Sequence, residues 1–148
     1  MKTNLSTQLL VGLLMFSVLG CARPISMTLR STPDLNNGGY AVAVRIYQLK
    51  SAGKFQRATF DSFWGSEDQT LGTDLANEPM EIRLYPGERR MLNNLDLQEE
   101  TSLIGVAANF NKPDGNRWKT VFDLSNLRGN QLVLAVGSNQ LLIDQVEN

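Results

Sequence analysis

Residues 40–50 read YAVAVRIYQLK. Val42, Val44 and Ile46 lie on one side of an extended chain, with Arg45 and Tyr47 on the other. That is the period of two of a half-buried strand. Ala41 and Ala43 soften the contrast, so both faces are expected to be covered near its start. The same period recurs on either side of this run, and the fold is therefore read as a β fold.

Upstream, Ile25, Met27 and Leu29 alternate with Ser26, Thr28 and Arg30, a second strand. The two are joined by TPDLNNGG, residues 32–39, whose proline, aspartate, asparagines and glycines are turn formers. Downstream, KFQRATFDSFW (54–64) breaks the alternation. Phe60, Phe63 and Trp64 are spaced to share one face of a short helix, which Gly65 ends. EDQTLGTDLANE (67–78) predicts a further turn or two of helix. These aromatic residues and Trp118 are expected to fill the interior, as aromatics mostly do, and not to form a binding platform. Tyr47 either faces outward with Arg45 or lies under the helix.

Alternation returns at Met80, Ile82 and Leu84, and Pro86-Gly87 takes the centre of a type II turn. Residues 88–97 run back with Met91, Leu95 and Leu97 on one side, while Asn93 predicts an edge strand or a bulge. In SLIGVAANF (102–110), Ile104, Val106, Ala108 and Phe110 share a face, and the glycine and alanines predict close backbone approach. NKPDGN (111–116) is a hairpin loop leading into RWKTVF (117–122). QLVLAV and QLLIDQV then flank the tight turn Gly137-Ser138-Asn139. Seven or eight strands, with turn signals about every ten residues, predict an all-β fold. Its expected form is a two-sheet antiparallel β-sandwich over residues 25–148 with a short helical insertion.

Ahead of this domain, Lys2 and a few polar residues precede an apolar run from Leu9 to Leu19. The run is too short to cross a bilayer, which takes about 20 residues. A basic start, a short apolar segment and the small Gly20 predict a secretory signal peptide over residues 1–20. The one cysteine of the chain, Cys21, follows at once, and Val18-Leu19-Gly20-Cys21 resembles a bacterial lipobox. In that motif the thiol is lipidated and the cysteine becomes the mature N-terminus. An ordinary signal peptide would leave a lone thiol exposed in an oxidising compartment, and acylation removes it. Residues 21–24 are then an acylated cysteine and a short tether. Each buried methylene contributes about 0.8 kcal/mol and one acyl chain holds weakly, so the several chains of a lipobox cysteine predict stable attachment. Ala22 stands where an aspartate would favour the inner membrane. The expected address is the outer membrane, on its periplasmic face, with the lipid in the inner leaflet.

Removing residues 1–20 from the 148 takes away only one charged residue, Lys2, and leaves 13 basic against 15 acidic side chains. No basic block is present, so no nucleic acid is expected as a partner. The chain has no histidine. The commonest general base and imidazole ligand are thereby missing, and no metal or cofactor is expected beyond the covalent lipid on Cys21. Asp34, Asp61, Glu67, Asp68, Asp74, Glu78, Glu81 and Glu88 are scattered, which argues against a paired-carboxylate hydrolase. Asn109, Asn111 and Asp114 lack the spacing of a calcium loop. No catalytic residue and no small-molecule substrate are assigned.

Three stretches together carry a family likeness. VRIYQLKSAGKFQRATF (44–60) resembles the strand-then-helix opening of the type VI secretion lipoproteins known as TssJ or SciN. LGTDL (71–75) with LYPGE (84–88), and IGVAANF (104–110) with RWK (117–119), are similar to that family's next two blocks. Asn111 departs from it, since arginine is commoner there, and the loop at 32–39 is short. The likeness implies a transthyretin-like sandwich with a helical addition, and no catalysis. It also implies a role in assembly, holding the periplasmic domain of a large inner-membrane protein, TssM, from the outer membrane. For the grip, the loop residues Asp34, Leu35, Asn36 and Asn37 are the candidates, Leu35 being apolar in a polar loop. An alternative is a stand-alone periplasmic lipoprotein module for peptidoglycan or carbohydrate, which would need exposed aromatics along a groove.

Overall fold

A computed structural model describes residues 24–144. The expected signal peptide and Cys21 lie outside the described residues. Eight strands run through the described chain: β1 Ile25–Ser31, β2 Val42–Leu49, β3 Met80–Leu84, β4 Arg89–Leu95, β5 Leu103–Ala108, β6 Lys119–Asp123, β7 Gln131–Val136 and β8 Leu141–Ile143. They form two four-stranded sheets, in the orders β4-β1-β7-β8 and β3-β2-β5-β6. The expected sandwich is what is found, with one exception to its antiparallel pairing. β1 and β7 are parallel, from Ser26 opposite Gln131 to Ser31 opposite Val136. The reason lies in the crossing from β6. That strand ends opposite the start of β5, and residues 124–130 carry the chain across to where β1 begins, so β7 sets off in the same direction as β1.

The core lies between the sheets. Met27 and Leu29 of β1 and Leu132, Leu134 and Val136 of β7 are buried, as are Val44 and Ile46 of β2 and Ile104, Val106 and Ala108 of β5. Alternation puts each set on one face of its sheet. β4 is an edge strand and also bulged. Ile25 pairs with Leu95 but Met27 with Leu92, so one extra residue is accommodated there, and Asn94 takes φ 53°. Asn93, which breaks the sequence pattern, is its neighbour.

The segment between β2 and β3 folds as three short helices, α2 Gly53–Arg57, α3 Phe60–Gly65 and α4 Glu67–Leu71, and a 3-10 turn at Gly72–Asp74. A shorter turn, α1, spans Leu35–Gly38 between β1 and β2. These helices cover the outer face of the second sheet. Tyr47, on that face, lies under them, with its ring 5.4 Å from Phe55 and 5.5 Å from Phe63. Phe63 stands 5.1 Å from Trp118, which is fully buried and 5.3 Å from Phe60. Opposite Tyr47 on β5 is Gly105. A Cβ there would meet Phe55 and Leu49 at 3.0 Å, so the glycine is what lets α2 sit on the sheet. Lys119 secures the same helix from the next strand. Its Nζ donates to the carbonyl oxygens of Phe55 (2.9 Å), Gln56 (2.7 Å) and Ala58 (2.5 Å), the groups a helix end leaves unpaired. Burial lowers the pKa of this ammonium.

Candidate functional site

β1 runs from Pro24 toward one end of the sandwich, here the far rim. Four connections meet there, residues 32–41, 85–88, 109–118 and 137–140, because each joins strand ends that point the same way. The first is built on backbone geometry that its residue types permit. Asn36 (φ 54°) and Asn37 (φ 58°) are both left-handed, and Gly38 and Gly39 continue at φ 133° and 83°. Asparagine and glycine are the residues that tolerate this region. The result is α1, a tight turn over Leu35–Gly38 closed by the N–H groups of Gly39 and Tyr40, both donating to Leu35 O at 2.9 Å.

The four candidate grip residues divide two and two. Leu35 is fully buried and Asn36 is 4% exposed, so both support the loop from beneath. Asn36 donates from Nδ2 to Ala41 O (2.9 Å) and accepts at Oδ1 from the Asn111 N–H (2.7 Å). An apolar residue in a polar loop is here a plug, placed under a turn that has to close over the core. Asp34 and Asn37 are the two exposed ones.

Hydrogen bonds tie the rim into one surface. The N–H groups of Thr32 and Asn37 donate to Val136 O (3.1 Å) and Ser138 O (2.8 Å), joining loop 32–41 to the β7–β8 hairpin. Asn37 Nδ2 reaches Lys112 O (3.3 Å), and the Asp114 N–H reaches Asn139 O (2.9 Å). On the other flank Ser31 Oγ donates to Tyr85 O (2.5 Å) and accepts from the Glu88 N–H (2.8 Å). The Tyr85–Glu88 turn closes as the Pro-Gly pair predicts, with Gly87 at φ 68° and the Glu88 N–H on Tyr85 O at 3.2 Å. Glu88 also accepts from the Tyr85 N–H (2.9 Å) and from Arg90. These contacts, the backbone one first, hold its carboxyl below the usual range.

Two residues that sequence reasoning passed over stand out on this rim. Tyr40 is 63% exposed and Tyr85 55% exposed. The available signal was position: Tyr40 follows two glycines and Tyr85 precedes Pro-Gly, so neither falls inside a stretch that can bury it.

Elsewhere, a cleft of about 550 Å³ is lined by Arg45, Trp64, Glu67 and Glu81 among others. Arg45 bonds to both carboxylates and lies 5.1 Å over the Trp64 ring. Burial alone would lower the Arg45 guanidinium pKa, but the hydrogen bond to Glu81 and the charge of Glu67 outweigh it and raise it. Burial first, and Glu67 second, push the Tyr47 phenol far up. The two carboxylates are thus committed to one cation, and one face of the tryptophan is covered. The arrangement suits holding α3 and α4 to β2 better than a hydrolytic pair or a sugar platform. Among the described residues no group of three acidic, cysteine or histidine side chains is placed to hold a metal, and no helix is long and apolar enough to cross a membrane.

The profile of one family, described as type VI secretion lipoprotein, VasD, EvfM, TssJ, matches residues 23–139. The chain belongs to this family. Among solved structures, the TssJ lipoprotein TssJ1 from Pseudomonas aeruginosa is 26% identical, with a TM-score of 0.68 over 84% of this chain and all of that one. A chain of a type VI membrane complex is 25% identical, with a TM-score of 0.73 over 82% of this chain and 97% of that one. A chain in the structure described as the type VI secretion protein TssM C-terminal domain (869-1107) from EAEC is also 25% identical, with a TM-score of 0.71 over 82% and 98%. No curated protein sequence matches the chain.

Proposed function

We propose that this type VI secretion lipoprotein is fixed to the outer membrane by lipid on Cys21, and that its far rim holds the periplasmic domain of a TssM-like inner-membrane protein. It thereby anchors an envelope-spanning membrane complex without catalysing a reaction. The observation that carries this reading is the likeness to a chain in the TssM structure. The TssM fragment named there runs from 869 to 1107, whereas 82% of this chain covers 98% of the matching one. The matching molecule is far too short to be that fragment, so the likeness is to a companion chain in the same structure.

Chain geometry supports the orientation. β1 begins four residues after Cys21, so it starts within about 14 Å of the lipid even with the tether fully extended. β1 then runs away from that end, and the far rim is the part of the sandwich turned toward the periplasm. Confinement of every copy to one membrane raises the effective concentration at a partner rooted in the other. The exposed side chains of Asp34 and Asn37 are the members of the predicted grip available to it.

The test is a binding measurement between the full-length lipoprotein in detergent and the periplasmic part of a TssM-like protein. Asp34→Ala with Asn37→Gly, which keeps the left-handed backbone at 37, should weaken capture by more than any lowering of the thermal transition explains. A wild-type protein that captures nothing overturns the reading. Cys21→Ser should leave the domain folded but remove it from the outer-membrane fraction. Its retention there would rule out the lipid anchor.

A further inference from the structure

The corner of the far rim around the β3–β4 turn carries more positive charge than its fold can use. Arg30 and Arg89 are Cα partners across the β1–β4 pair. Like charges directly opposite one another destabilise a sheet. Asp144 is the acid nearest Arg30, at 3.8 Å between exposed side chains, and Glu88 is taken by Arg90. Among the described residues Arg89 has no acidic partner. The exposed Tyr40 and Tyr85 are placed near this pair by the backbone, Ser31, next to Arg30, donating to the Tyr85 carbonyl oxygen. Val42 and Leu84 are the last partners of the β2–β3 pair, and the two tyrosines follow within two residues of that point.

Arginine on an edge strand is also how proteins stop edges from pairing. That purpose needs neither an opposed pair nor an exposed tyrosine. It also does not explain why the turn bearing them is so firmly held. Ser31, Thr32 and Glu88 fix it through the Tyr85 carbonyl and the N–H groups of Tyr85, Gly87 and Glu88. Tyrosine and arginine dominate interface energetics, and a surface already ordered loses little entropy on binding.

We propose that this corner, formed by Arg30, Arg89, Tyr40 and Tyr85, docks an acidic segment of a protein partner. The proposal rests on the anchoring reading above and assigns that segment to the periplasmic domain of the TssM-like protein. Carboxylates from the partner sit against the arginines and relieve the repulsion that the free sheet carries, while the tyrosines supply contact area. The corner lies at the end away from the expected lipid, which disfavours a membrane surface as its occupant.

The fold and the interface make opposite demands on Arg89, and that makes the proposal testable. Arg89→Glu places an acid opposite Arg30, so it should raise the thermal transition of the full-length lipoprotein while weakening capture of the partner domain about tenfold or more. Tyr85→Ala should weaken capture by a similar factor with little effect on melting. Wild-type affinity should fall as salt rises, and Arg89→Glu should flatten that dependence. If the wild type binds and both variants bind equally well, this corner is not the interface, and the anchoring reading survives. If the wild type itself does not bind the partner domain, the anchoring reading falls and takes this assignment with it. Vesicles containing phosphatidylglycerol provide the remaining arm. Arginine-dependent binding to them, with partner capture unchanged in the variants, would identify a lipid surface as the occupant and overturn the proposal.

Discussion

The helical flank on β2 and β5 and the far rim are both built from segments that interrupt strand alternation, yet they are held by different forces. The flank is a stack of rings, Tyr47, Phe55, Phe63 and Trp118, pressed onto a sheet that Gly105 has thinned to receive them. The rim is a mesh of backbone and asparagine hydrogen bonds with aromatic side chains turned out to water. The difference teaches that an aromatic residue's neighbours, more than its type, decide whether it stabilises the domain or serves a partner. Rings on the flank contribute to folding, and rings on the rim remain free to be covered by something else.

The sharpest way to break this contrast is to truncate one ring in each region. Trp118→Ala on the flank is expected to cost about 3–5 kcal/mol in denaturant unfolding, the range for large aromatic deletions in a core. An equal loss from Tyr85→Ala at the rim would erase the distinction. Gly105→Ala comes next. A new methyl group pressed against Phe55 and Leu49 should destabilise by about 1–3 kcal/mol, measured in the same way. On the rim, Asn36→Ala strips two bonds from a buried site and leaves the Asn111 N–H without its acceptor. An expected loss of about 1–3 kcal/mol, with partner capture falling too, would mark it as the loop's scaffold. The smallest effect concerns Glu88. Its carboxyl is held low by the Tyr85 N–H first and Arg90 second, so its contribution is present above the unfolded pKa and fades as pH falls through the folded one. Melting curves of wild type and Glu88→Gln should therefore converge on acidification. Curves that stay parallel would mean the carboxylate does not brace the turn.

Much of the sandwich was legible because strand alternation is a local signal. The run at 40–50, the bulged edge near Asn93, the Pro-Gly turn and the helix facing Phe60, Phe63 and Trp64 all follow from neighbouring residues. Partnerships across the chain were not legible in this way. Nothing local says that β1 lies beside β7, or that Lys119 reaches back to close α2. The loop at 32–39 shows the limit within one motif. Its residue types announce a turn, but the bonds that hold Asn36 in place come from Gly137 and Asn111, which lie 75 residues or more downstream. Tyr40 and Tyr85 were missed for the converse reason. Each stands at the end of a strand, where alternation assigns a ring to a face without saying whether any layer covers it.

β1 is flanked on both sides, by β4 and by β7. It is also the strand that directly follows the proposed lipid attachment. Tension arriving from the membrane would therefore run lengthwise along it and load both hydrogen-bonded ladders in shear, so that many bonds have to give way together. Had the attachment fed an edge strand pulled sideways, the bonds could peel one after another. A lipid-held mooring point would gain mechanical endurance from this topology alone, in a chain whose single cysteine leaves it no internal disulfide.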